Sequence, residues 1–333
     1  MESGQRIVIV RMKTRLQQLV EKFNTLGQAM FSLSQQRRNF MSKASKSMAA
    51  SKEQAMASVG SGSESDYQDE DKQYQKVLET AHRRLSIGFK VMIIDRSFLP
   101  SFLFGPQDIV VVIGQDGLVA NTAKYAGSLP IVAVNPAPDR FDGVLLPFRL
   151  SQIEAAVQRV ASGKYDAKRI TMAEVSMNDG QRLLAFNDFF IGPSSHTSAR
   201  YQLTHGGRTE TQSSSGVIVS TGAGATGWLS SLFNMQAGMA QFSQGHAPSG
   251  GAFRLPWDTQ QLVYAVREPF ASRTSQASLV MGYVDERQPL VVESLMPERG
   301  VIFSDGIESD FLAFNSGSIA TIGIASEQAR LVV

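Results

Sequence analysis

The sequence predicts an α/β N-terminal half built on a doubly wound parallel sheet, followed by a predominantly β C-terminal half. Three observations carry this. The run Asp108–Ile113 (DIVVVI) is apolar at successive positions, as a central parallel strand buried on both faces requires. Strand-like and helix-like segments alternate up to about residue 149. Beyond residue 162, short strand-like runs follow one another, separated by turns such as Asn178-Asp179-Gly180 and Gly206-Gly207.

The elements follow in order. Arg6–Arg11 (RIVIVR) reads as a short buried strand, and Thr14–Asn24 as an amphipathic helix with Leu16, Leu19, Val20 and Phe23 on one face. Residues 32–71 break the pattern with Ser, Gln, Lys, Ala and Met, and predict an insertion, partly helical and partly disordered around Val59–Ser65. A helix is expected over Tyr67–Leu85, then strands at Phe89–Ile94, Asp108–Ile113 and Pro130–Val134, with a crossover helix at Leu118–Ala126. After a helix at Ser151–Ser162, strands are expected at 169–176, 183–191, 197–203, 216–220, 262–266, 278–284, 290–295, 300–303 and 319–324. A helix-like stretch begins at Trp228. The organisation expected is an α/β domain over 1–149 and a β domain over 150–318.

The 333 residues suit about two ordinary domains. The absence of cysteine excludes disulfides, thiolate zinc sites, iron–sulfur clusters and a cysteine nucleophile. The four histidines form no HExxH motif, so no protein-held metal is expected. Thirty-two basic against 30 acidic residues gives a net charge of +2, which asks for no nucleic acid. No run of 18 apolar residues exists, and Ile7–Val10 is too short for a signal peptide, so a soluble cytoplasmic protein without a membrane partner is expected.

Chemistry is carried by three segments. Gly114-Gln115-Asp116-Gly117 follows the DIVVVI strand and precedes a helix, the place where open α/β sheets bind ligands. Its glycines allow backbone to approach a phosphate or ribose, and the helix N-terminus favours anions. The segment Ser220–Trp228 (STGAGATGW) formally satisfies GxGxxG with Gly222, Gly224 and Gly227. The acid that a dinucleotide fingerprint needs about 20 residues on is missing, because no Asp or Glu lies between Glu210 and Asp258. A Gly/Thr-rich turn that holds phosphate or ribose through its amides survives that test. Asn187-Asp188 is a polar pair inside an apolar run, and Asn135-Pro136 closes the PIVAV strand.

Taken together, these segments resemble the NAD kinase family, whose pattern is a GGDG turn, an Asn-Glu pair and a loop like STPTGSTAY, in that order. Here they stand as Gly114–Gly117, Asn187-Asp188 and Ser220–Trp228, with Asp305-Gly306 where the family has a late Asp-Gly. The resemblance covers about residues 86–330. It implies a last strand, residues 319–333, returning to the first domain, and phosphorylation of the adenosine-side ribose 2′-hydroxyl of NAD by ATP or polyphosphate. Asp116 would accept or orient the hydroxyl proton. Mg²⁺ would be held through substrate oxygens and water. Gly114 and Gly117 would flank the phosphates, and Asn135, Asn187 and Asp188 would hold ribose or base. Thr221, Gly224, Thr226, Gly227, Trp228 and Asp305 would line the nucleotide, with Trp228 offering a stacking face. A homo-oligomer is the default for such proteins.

Departures accompany the likeness. Gln115 and Leu118 replace a Gly and a Thr, and Asp188 is one methylene shorter than the family's Glu. Gly222 and Ala223 replace Pro and Thr, and Ser214-Ser215-Gly216 stands where a Gly-Asp-Gly turn is usual. A non-catalytic NAD- or nucleotide-binding regulator, and a kinase of the diacylglycerol kinase or phosphofructokinase type with another acceptor, are the alternatives.

Overall fold

The computed structural model describes residues 5–44, 64–140, 142–245 and 253–333. Strand β1 (Arg6–Arg11) leads into helix α1 (Arg15–Phe23). The Thr14 hydroxyl accepts the Gln17 N–H while the Gln17 side chain accepts the Thr14 N–H, a reciprocal cap for two otherwise orphaned donors. Helices α2 (Leu26–Ala44) and α3 (Glu64–Leu85) follow. The stretch 32–71, expected to be an insertion partly helical and partly disordered, is helical wherever it is described. Residues 59–63 of that expectation lie outside the described residues. Helix α3 is anchored by Tyr74, Leu78, Ala81 and Leu85, which bury their side chains against the sheet.

Next come β2 (Lys90–Asp95), β3 (Ile109–Ile113), α4 (Asp116–Ala126), β4 (Pro130–Asn135), β5 (Phe148–Arg149) and α5 (Ile153–Ala161). Strands β4, β3, β1 and β2 are parallel neighbours in that order, so the chain winds one way from β1 to β2 and the other way from β3 to β4. The switch point lies between β1 and β3, where such sheets open a crevice at the strands' carboxyl ends. Both faces of β3 are covered. Ile109, Val111 and Ile113 pack under α3 and α5, and Val110 and Val112 pack with Leu118 and Ala123 of α4. This burial on both sides explains the unbroken aliphatic run.

The remaining strands are β6 (Ala167–Met177), β7 (Arg182–Ala185), β8 (Asp188–Pro193), β9 (Ala199–His205), β10 (Arg208–Ser214) and β11 (Val217–Ser220). Helix α6 (Trp228–Gln244) precedes β12 (Leu262–Val266), β13 (Met281–Val284), β14 (Leu290–Ser294), β15 (Gly300–Ser304), β16 (Ile307–Ala313) and β17 (Ile319–Val332). A six-stranded antiparallel sheet runs β13-β12-β11-β8-β15-β16, while β6, β7, β9, β10, β14 and β17 extend the first sheet. The two layers enclose a core of Phe189, Ile191, Tyr201, Val219, Leu290, Ile302, Phe314 and Ile322, among others. Strand β17 pairs antiparallel with β6 and β14, and its end runs parallel to β4, Arg330 opposite Pro130 and Leu331 opposite Ile131.

Three differences from the expected strands have physical causes. The single strand expected over 183–191 is two, β7 and β8, separated at Phe186-Asn187 by a turn that Asp305 holds. Strand β10 went unread because its inward residues are Glu210, Gln212 and Ser214 rather than aliphatics. Their polar groups are satisfied by Tyr201, by the Leu279 carbonyl and by the Ser278 and Leu279 amides. Strand β17 continues past a bulge between Ile324 and Gln328, where the apolar alternation lapses.

Candidate active site

Asp116 opens α4 directly beyond β3, and Gln115 is the helix N-cap without a side-chain cap bond. Its carboxylate reaches across to the next loop, accepting the Leu145 N–H at 2.8 Å and the Val144 N–H at 3.2 Å. The first turn of a helix favours such an anion. Gly114 is pressed from behind, since a Cβ there would lie 2.7 Å from Leu118 Cδ2. Gly117 and Gln115 are exposed, and nothing lies within 4 Å of where a Gly117 Cβ would stand. Asn135, buried at the end of β4, accepts the Ala137 N–H at 3.0 Å and lies under the same 143–145 loop. Asn135 thus supports the loop that fixes Asp116.

The Asn187-Asp188 turn is gripped from two sides. Thr221 donates its N–H to the Asn187 carbonyl at 2.9 Å and its hydroxyl to the Phe186 carbonyl at 2.6 Å, and accepts the Gly224 N–H. On the other side, Asp305 accepts the Phe186, Asn187 and Asp188 amides at 3.0, 2.6 and 3.3 Å. Thr221 and Asp305 therefore direct their polar atoms at protein backbone, shaping the turn. The glycines of the Ser220–Trp228 loop serve close packing. A Cβ on Gly222 would meet the Pro256 carbonyl oxygen at 1.9 Å, and one on Gly224 the Asn187 carbonyl oxygen at 2.1 Å. Thr226 and Gly227 are exposed at the loop's far end.

Trp228 stacks on Phe190, centroids 5.6 Å apart and planes 13° apart, and the Arg267 guanidinium lies 5.4 Å from the Trp228 ring. Phe190, Arg267, Phe303, Phe311 and Ser215 line an open cleft of about 1110 Å³. A second cleft of about 350 Å³ lies at the carboxyl ends of β1 and β2, where Lys13 and Arg96 supply cations and Asn121 and Tyr125 line the α4 side.

Two carboxyls here are pushed upward. Burial, with a smaller contribution from neighbouring Asp305, pushes Asp188 up to about 7. Asp305 is pushed up to about 6 by burial, against the opposing pull of Lys124 and its three amide donors. Lys124, fully buried on α4, donates to Ser304 Oγ at 2.7 Å and to Asp310 Oδ2 at 3.0 Å, and the Tyr125 hydroxyl donates to the same carboxylate. Sequence reasoning missed Lys124, Tyr125, Ser304 and Asp310. The available signal was a lysine inside the otherwise apolar and small helix LVANTAKYA. Among the described residues, no group of three or more His, Asp or Glu gathers that could hold a metal ion. No described helix is long and apolar enough to cross a membrane.

The chain is similar to a probable NADH kinase of Oryza sativa subsp. japonica, 25% identical over 223 residues, 60% of this chain and 63% of the rice protein. It is 32% identical to an NAD kinase of Bifidobacterium longum subsp. infantis over 109 residues, 30% of this chain and 31% of that protein. The chain thus spans less than two thirds of the curated relatives' length. No family model matches it. Among solved structures, yeast NADH kinase complexed with NADH superposes with a TM-score of 0.54 at 14% identity, covering 78% of this chain and 79% of that one. An NAD kinase from Archaeoglobus fulgidus in complex with ATP gives 0.52 at 18% identity, covering 78% and 89%. The two-layer architecture is the NAD kinase fold, and the likeness read from the motifs is matched in curated relatives and in solved structures.

Proposed function

We propose that the chain is an NAD kinase, transferring the γ-phosphoryl group of ATP to the adenosine-side ribose 2′-hydroxyl of NAD. The observation that carries this is the placement of Asp116. It is the carboxylate at the carboxyl end of the central strand, beside the β1/β3 switch point, fixed by two amides at the mouth of a helix. The fold shared with NAD(H) kinases supports the same reading.

In this mechanism the ribose O–P bond forms as the bond from Pγ to the ADP oxygen breaks, and Asp116 takes the hydroxyl proton. Asn187 and Asp188 hold the ribose hydroxyls. Trp228, with Thr226 and Gly227, offers the base a stacking face, and Gly114 and Gly117 leave backbone open to the phosphates. Mg²⁺ would arrive with ATP as part of the substrate, held by phosphate oxygens and water. Domain boundaries at 149/150 and 318/319, a homo-oligomer, a cytoplasmic location and polyphosphate as a second donor belong to the same proposal. The register of β17 on β4 supports the last boundary.

The test is a coupled assay. Purified protein, NAD or NADH, ATP or polyphosphate, and Mg²⁺ are incubated, and product is read through an NADP-specific dehydrogenase. Phosphorylated product with either donor supports the kinase. Saturable NAD binding without product would assign the chain as a nucleotide-binding regulator instead, a reading that the exposed Gln115 side chain in the glycine turn favours.

A further inference from the structure

Lys124 is buried in a helix whose buried residues are otherwise uncharged, Leu118, Val119, Ala120 and Ala123 with the polar Asn121 and Thr122 among them. An unpaired ammonium is strongly unfavourable in a buried place, so its partners decide what it does. They come from the β15–β16 hairpin: Ser304 at the end of β15 and Asp310 within β16. Between them sits Asp305, with a left-handed φ of 55°, whose carboxylate caps the Phe186, Asn187 and Asp188 amides. The charged and titratable groups facing this place are Lys124 and Tyr125 from α4, Asp305 and Asp310 from the hairpin, Asp188 from β8, and Arg96 from the segment after β2.

We infer that Lys124 is a positioning residue for nucleotide binding, tying the helix that begins at Asp116 to the hairpin whose Asp305 holds the Asn187-Asp188 turn. The inference rests on the kinase proposal for the identity of the nucleotide, not for the tie itself. Physically, the Lys124 ammonium does two things. It fixes Ser304, the residue before Asp305, by a direct bond, and it keeps positive charge beside the Asp305 carboxylate, which must be ionised to accept three N–H groups well. Removing the cation leaves Tyr125 bonded to Asp310 but releases Ser304 and favours protonation of Asp305. The 186–188 turn then loses its strongest acceptor, and Asp188 loses its orientation.

The experiment uses the full chain with Lys124→Met and Lys124→Arg. The first readout is hydrogen–deuterium exchange of the amides of residues 186–188 near neutral pH. Lys124→Met is expected to speed that exchange while β3 and β4 stay protected, and Lys124→Arg is expected to restore protection. The second readout is NAD binding and turnover against pH. Lys124→Met is expected to raise KM for NAD by about tenfold, with kcat less affected, and to move the pH dependence of kcat/KM. Unchanged exchange at 186–188, or a KM and pH profile that do not move while only the melting temperature falls, would overturn the inference. If the unaltered protein binds no NAD, the kinase proposal fails, and the exchange result alone then upholds or overturns the tie.

Discussion

A side-chain carbon on Gly224 would stand 2.1 Å from the carbonyl oxygen of Asn187, so these two loops meet backbone to backbone. The Thr221 N–H and hydroxyl close the same contact by bonding the Asn187 and Phe186 carbonyls. The glycine spacing that imitates a dinucleotide fingerprint therefore has a packing cause at this position. Gly224→Ala is expected to force the loops apart and destabilise the protein by more than about 1–3 kcal/mol, the usual range for overpacking. Gly227→Ala should cost less than Gly224→Ala, because its added carbon would meet a carbonyl oxygen at 3.3 Å rather than 2.1 Å. Urea midpoints of the two variants check the contrast.

Asp116→Asn is the direct test of the proposed chemistry. The amide keeps one acceptor oxygen for the Leu145 N–H but sets an NH₂ against the Val144 N–H and removes the basic group. Turnover is expected to fall by about a hundred- to ten-thousand-fold, the span of general-base catalysis. NAD affinity, measured by calorimetry, should change little. Full activity in this variant would place the base elsewhere.

Stability should depend on pH through Asp188. A carboxyl with a higher pKa in the folded than in the unfolded state holds more protons when folded, so stability falls as pH rises between the two values. For Asp188 that window runs from about 4, the usual carboxyl value, to about 7. Asp305, pushed up to about 6, adds a decline of the same sign. Asp188→Asn is expected to flatten the upper part of the decline and to be more stable than the parent near pH 8. It should also raise KM for NAD, because the carboxylate proposed to hold the ribose is gone. Urea midpoints from pH 4 to 8 read the first effect, and steady-state kinetics read the second.

How far the sequence disclosed this site follows from where its information lies. The strand ending at Ile113 was legible because burial on both faces demands unbroken aliphatics, and Asp116 was legible because it stands next to that strand. The Asn187-Asp188 pair drew attention as polar residues in an apolar run, but the run's division into β7 and β8 did not. That break is made by Asp305, 118 residues from Asn187, and a local pattern carries no trace of such a bond. Lys124 and Asp310, 186 positions apart, are the same case. Strand β10 was hidden for another reason: its inward positions are polar and satisfied by distant partners, so the alternation of apolar residues never appears.

Tyr74 ties α3 to the carboxyl-end edge of the sheet. Its hydroxyl donates to the Ile113 carbonyl at 2.7 Å and accepts the Met12 N–H at 3.1 Å, joining the carboxyl ends of β3 and β1. Those ends flank the switch point, and Met12, Tyr74, Gly114 and Gln115 line one small cavity there. The phenol is buried enough that its pKa is pushed up to about 12, so it stays a neutral donor across the working pH range. Tyr74→Phe keeps the ring's packing with Leu78 and Ile9 but leaves a buried carbonyl and an amide without their partner. An unmade bond of this kind costs about 1–3 kcal/mol per group, so a destabilisation of that order is expected by urea denaturation. Because Gly114 begins one residue beyond Ile113, kcat should fall as well, with KM for NAD less affected. A variant as stable and as active as the parent would show that α3 is held by apolar packing alone.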